Sequence, residues 1–133
     1  MVWDNYSPRD FKVVTIPERL MDAMDVYTSK TGMRKTSIFD AAIFKLMRIW
    51  DEGKRDEVER ALFYNPPPQS LKNVPLCIRF TGEESFQWVC DLEQNEAIVA
   101  STRDFVLRLL SWFLRENGVL EKHDEKVFLK GKK

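Results

Sequence analysis

Phe11-Lys12-Val13-Val14-Thr15-Ile16-Pro17-Glu18-Arg19-Leu20 is the stretch on which the fold turns, and Leu76-Cys77-Ile78-Arg79-Phe80 answers it further along the chain. Residues 11–16 are rich in β-branched side chains and stop at a proline, which predicts a short strand that does not lie in the middle of a sheet. Pro17 also suits the first turn of a helix. Leu20, Met21, Met24 and Tyr27 then keep one helical face up to Gly32, where the left-handed turn that ends a helix costs least. After Arg34-Lys35, the hydroxyl of Thr36 or Ser37 is expected to cap a second helix. That helix carries Ile38, Phe39, Ala42, Ile43, Leu46, Met47, Ile49 and Trp50 and ends near Gly53. So wide an apolar stripe needs more cover than one neighbouring helix supplies.

The same order returns. Residues 76–80 predict a second strand, Thr81 or Ser85 a cap, and Phe86, Val89 and Leu92 a helix. Val14 and Ile16 map onto Ile78 and Phe80 at an offset of 64, and Leu20, Met21, Met24 and Tyr27 map onto Ser85, Phe86, Val89 and Leu92 at 65. In the last helix Ser37, Ala42, Ile43, Leu46 and Ile49 meet Ser101, Val106, Leu107, Leu110 and Phe113 at 64 again. Gly32 has no glycine opposite it, and Asn95 is expected to take the turn instead. The organisation expected is therefore an N-terminal arm (1–10), a first repeat (11–53), a linker (54–73), a degenerate second repeat (74–118) and a charged tail (119–133). The linker holds a short charged helix, whose apolar face is Val58, Ala61 and Leu62, and the stiff run Pro66-Pro67-Pro68. The tail lacks a sustained apolar period and is expected to be mobile.

One strand followed by two helices leaves the strand's edges unpaired and the second helix's stripe uncovered, so two units must combine. The fold class expected is mainly α with a short β-ribbon. In it the two units pack as an internal pseudo-dimer, or like repeats pair across two chains. The period of two along a strand turns Val14 and Ile16 toward the helices and Phe11, Val13 and Thr15 away. In the second strand Ile78 and Phe80 turn inward, and Cys77, Arg79 and Thr81 outward.

Composition narrows the classes. With 133 residues, 44% of them hydrophobic and 32% charged, the chain should fold around a buried core. Twenty-one basic residues balance twenty-one acidic ones, so net charge names no partner, although residues 74–118 sum to −3 and residues 119–133 to +2. Cys77 and Cys90, with His123 as the one histidine, cannot fill a four-ligand zinc site. They fit a reducing interior, and a cytoplasmic location is expected. No apolar stretch approaches the roughly 18 residues that span a bilayer, so no membrane partner is expected. There is no phosphate-binding loop, dinucleotide fingerprint or metal-ligand cluster, and an enzyme, a cofactor and a metal are all unexpected.

Val14-Thr15-Ile16-Pro17-Glu18-Arg19-Leu20, Gly32 and Lys35-Thr36-Ser37 leading into Ala42-Ile43 resemble the ribbon–helix–helix family of DNA-binding regulators. The resemblance covers the first repeat well and the second loosely. It implies that two strands form an antiparallel ribbon that enters the major groove of duplex DNA, where Phe11, Val13, Thr15, Cys77, Arg79 and Thr81 meet base edges. It also implies that the start of each second helix holds a phosphate. Arg34, Lys35, Thr36 and Ser37 match that position in the first repeat, and Ser101, Thr102 and Arg103 in the second. Arg79 is the best single reader, since its guanidinium can donate twice to guanine; the plainer reading is a surface ion pair with Glu83 or Glu84. Trp50, Trp88 and Trp112 are expected in the core or a dimer interface.

The function expected from the resemblance is sequence-specific binding of double-stranded DNA by a transcriptional regulator, acting as a repressor, with self-association or an internal pseudo-dimer. Tandem forms are found in plasmid conjugation accessory proteins and archaeal-virus regulators, so a plasmid- or virus-encoded source is part of the expectation. Two alternatives stand beside it. One is an antitoxin-like or adaptor module that keeps the fold and holds a protein partner through the acidic second repeat or the tail. The other is an accessory factor of conjugation that bends DNA.

Overall fold

In the computed structural model, residues 11–63, 65–80, 82–96 and 102–121 are described. Strand β1 (Lys12–Pro17) pairs antiparallel with β2 (Asn73–Ile78) in the same chain, with Val13 opposite Cys77, Val14 opposite Leu76 and Thr15 opposite Pro75. Val14, Ile16, Leu76 and Ile78 are buried and their neighbours Val13, Thr15 and Pro75 are exposed, so the period of two sorts the faces as expected. Strand β2 starts three residues earlier than the sequence predicts and ends at Ile78; Phe80 stays buried beyond its end. Pro75 lies inside this strand although a proline cannot donate to a ladder. The carbonyl of Thr15, however, accepts from Arg103 Nε, on the side away from β2. Thr15 and Pro75 therefore face each other at a non-hydrogen-bonded position of the ladder, where a missing N–H costs no inter-strand bond.

Helix α1 (Glu18–Thr31) follows directly, with Pro17 at its N-cap and Leu20, Ala23, Met24 and Tyr27 buried. Gly32 ends it at φ 76°, its N–H donating to the Thr28 carbonyl, as the sequence predicts. The approach to β2 caps its other end: Glu18 N–H donates to Lys72 O at 3.0 Å and Arg19 N–H to Ser70 Oγ at 2.9 Å. Helix α2 (Lys35–Asp51) begins earlier than expected. Its N-cap is Arg34, in extended backbone and with no side-chain capping bond, since a guanidinium has no acceptor to offer; its carbonyl takes Ser37 N–H at 2.9 Å. Thr36 and Ser37 thus lie inside the first turn, and the expected hydroxyl cap is corrected.

The wide stripe of α2 is covered by several elements at once: β2, α1, α3 (Arg55–Phe63), α4 (Glu83–Glu96) and α5 (Thr102–Glu116) all pack against it. The helix in the segment read as a linker belongs to the core, with Val58, Ala61 and Leu62 buried between α2 and α5. Helix α4 continues through Asn95, so the left-handed turn expected there is absent. Helix α5 buries Phe105, Val106, Leu107, Leu109, Leu110, Trp112, Phe113 and Leu114. Between Phe105 and Leu114 only Arg108 and Ser111 are not apolar, which marks a stretch enclosed by its neighbours, here α1, α2, α3 and β1.

Phe39 stands edge-on to Phe80 and Phe105, Tyr27 to Phe113, and Trp50 to Trp88 with ring centroids 6.2 Å apart. Trp112 is buried and Trp50 and Trp88 half-buried, as expected for core aromatics. Where polar groups enter the core they are paired. Ser85 Oγ donates to Asp40 Oδ1 at 2.9 Å, joining α4 to α2, and Ser111 Oγ donates to the Leu107 carbonyl. The first residues of the expected mobile tail are held: Val119 and Leu120 pack against the core, and Arg115 Nε donates to Glu121 O at 2.8 Å. Arg115 also donates to Asn65 Oδ1, and burial pulls its pKa below the ordinary value. Residues 1–10 and 122–133, Trp3 and His123 among them, lie outside the described residues.

Candidate nucleic-acid interface

The ribbon has one face on the helices and one in solvent. Val13 is 64% exposed and Phe11 56%, so each presents more than half of its surface to solvent. Thr15, Pro75 and Asn73 are exposed beside them, and Cys77, a free thiol, is half-buried opposite Val13. Continuing the register by one residue sets Phe11 opposite Arg79, and there the Arg79 guanidinium lies over the Phe11 ring, 4.6 Å from its centroid. Stacking of this kind holds the planar fork in one orientation while leaving its N–H groups in the ring's periphery. The stacking partner, rather than Glu83 or Glu84, is what the structure gives Arg79.

Five of the six expected base-reading residues, Phe11, Val13, Thr15, Cys77 and Arg79, therefore fall on one continuous outward face; Thr81 lies outside the described residues. Sequence reading missed Asn73 and Pro75, which share that face because β2 starts early. The only available signal was the alternation itself, since Val74, Leu76 and Ile78 already read as every second residue.

The expected phosphate contacts divide. Arg34 and Lys35 are exposed at the start of α2, and Lys35 Nζ is ion-paired with Asp25 of α1. Thr36 and Ser37 are half-buried in the first turn, where the helix's leading N–H groups and positive dipole end lie. Ser101 lies outside the described residues, and Thr102 opens α5. Arg103 does something the sequence did not suggest. Its Nε donates to the Thr15 carbonyl at 2.9 Å and to Thr15 Oγ1 at 3.3 Å, so it ties the start of α5 to the edge of the ribbon.

The exposed face can make apolar contact through Phe11, Val13 and Pro75, accept or donate through Thr15 and Asn73, and donate as a cation through Arg79. Among the described residues no group of three or more His, Cys, Asp or Glu side chains is placed to hold a metal, and no helix is long and apolar enough to cross a membrane. No protein-family model matches the chain, and comparison with curated proteins and with solved structures gives no match.

Proposed function

We propose that the protein is a sequence-specific double-stranded DNA-binding regulator, a repressor, whose β1–β2 ribbon enters the major groove with Phe11, Val13, Thr15, Cys77 and Arg79 toward the bases. In this reading the chain is a tandem ribbon–helix–helix protein folded as its own pseudo-dimer. The observation that carries it is a two-stranded ribbon backed by helices on one side and, among the described residues, uncovered on the other. A groove about 12 Å wide admits such a ribbon. The offset of 64 read from the sequence supports the pseudo-dimer. It maps Val13 onto Cys77, and these two residues face each other, as the residues beside a twofold axis through an antiparallel pair must. Affinity then comes from phosphates held at the start of α2 by its N–H groups, Arg34 and Lys35.

A second reading has its own support. The bare face is largely apolar and the chain has no net charge, which suits a protein partner in an adaptor or antitoxin-like module. Titration of duplex DNA at several salt concentrations separates the two. Each phosphate neutralised adds about −0.9 to the slope of log K against log salt. Groove binding with Arg34 and Lys35 on phosphates gives a slope of about −2 and enriched sequences in a selection from random duplexes. A slope near zero with no enrichment rejects it in favour of the protein partner.

A further inference from the structure

We infer that the ribbon reads its two ends with different chemistry, a stacked guanidinium at Arg79 and a hydroxyl donor at Thr15 fixed by Arg103, so that the duplex it recognises is non-palindromic. This rests on the groove-binding reading above and adds to it the character of the site. Applied to the ribbon, the offset of 64 makes Thr15 the counterpart of Arg79 and Phe11 the counterpart of Pro75. The pairs Phe11–Arg79 and Thr15–Pro75 are therefore equivalent places at opposite ends of one ribbon. They are chemically unlike. At one, a cation lies on an aromatic ring. At the other, a neutral hydroxyl stands opposite a proline.

Arg103 sharpens the second end. A threonine hydroxyl has one hydrogen and two lone pairs, and arginine Nε can only donate. Because Nε donates to Thr15 Oγ1 as well as to the Thr15 carbonyl, the oxygen is engaged as an acceptor and the residue is pinned at two atoms. The hydroxyl hydrogen remains, with no acceptor among the described residues. With one lone pair held by Arg103, the fixed hydroxyl hydrogen is offered to base edges that accept, namely guanine N7 and O6, adenine N7 or thymine O4, while the second lone pair stays open to an amino donor. At the other end the stacked guanidinium is matched to guanine's paired acceptors. No copy of Arg103 exists to make that end alike, since its counterpart at the same offset is Phe39, fully buried beneath the sheet. Phe11 and Thr15 are four residues apart on β1, about 13 Å along a strand. That distance corresponds to about four base-pair steps of roughly 3.4 Å.

Arg103 is thus a positioning residue for Thr15, and the test must read base preference rather than affinity alone. Bound sequences are selected from random duplexes with the native chain and with Thr15→Val, Arg103→Ala and Arg79→Ala, each shown by thermal melting to be folded. The native chain should enrich one non-palindromic motif. Thr15→Val and Arg103→Ala should relax the same base position, by about fivefold, the value of one hydrogen bond. Arg79→Ala should relax a different position, about four base pairs away. A palindromic native motif overturns the inference. So does an Arg103→Ala chain that keeps the motif unchanged while binding every sequence more weakly, for that is the behaviour of a phosphate contact. If the native chain enriches nothing, the groove-binding reading itself fails and takes this inference with it, an outcome distinct from the other two.

Discussion

Val13 and Val14 are the same residue type, adjacent in one strand, and 64% and 5% exposed. Replacing each in turn by alanine isolates the one variable on which the face assignment depends. Val14→Ala deletes the equivalent of two buried methylenes, about 1.6 kcal/mol of transfer free energy, and leaves a cavity under the ribbon that raises the cost to about 2–3 kcal/mol. Val13→Ala removes side chain already in water and should cost under about 0.5 kcal/mol. Urea denaturation followed by tryptophan fluorescence is suitable because Trp112 is buried and Trp50 and Trp88 are half-buried. With a slope of about 1.5 kcal/mol per molar, the Val14→Ala midpoint should fall by about 1.3–2 M and the Val13→Ala midpoint by about 0.3 M or less, both slopes unchanged. Equal losses, or the larger loss at Val13, would refute the placement of the ribbon with Val14 inward.

The remaining predictions concern separate parts of the same account. Lys35→Ala should weaken binding to all duplexes alike and reduce the salt slope by about one unit, whereas Arg79→Ala should change preference at one base; quantitative titrations against matched duplexes distinguish them. Ser85→Ala leaves the buried Asp40 carboxylate without the hydroxyl that donates to it and should destabilise the fold by about 1–3 kcal/mol in the same urea assay. Leu62→Ala, in the helix between the two halves, should cost about 2–5 kcal/mol, since Leu62 is 1% exposed; a true spacer would lose almost nothing.

The parts legible in sequence were those governed by local periodicity. Leu20, Met24 and Tyr27 along α1, the closing turn at Gly32, and the in–out alternation of Val13, Val14, Thr15 and Ile16 all follow from spacing and side-chain type. The features that escaped depend on contacts far along the chain. Pro75 is tolerated in β2 because the ladder position opposite Thr15 makes no inter-strand bond there, a fact that exists only once β1 is alongside. Thr36 and Ser37 looked like caps because their hydroxyls suit the role, but the backbone of Arg34 had already closed the turn. Val58, Ala61 and Leu62 form the apolar face of the short charged helix in the linker segment. They became core because the stripes of α2 and α5 together left room for a third helix. Arg103 carried no local signal at all for its bond to a residue at the other end of the chain.

Cys77 provides the most direct test of the proposal that the bare ribbon face meets DNA. It lies on that face opposite Val13, while the other thiol, Cys90, is 7% exposed and shielded in the core. Alkylation by iodoacetamide, with and without a saturating selected duplex, should be followed residue by residue by peptide mass spectrometry. The account predicts that Cys77 is labelled in the free protein and protected in the complex, with Cys90 slow in both. Unchanged labelling of Cys77 in a complex that remains intact would contradict it.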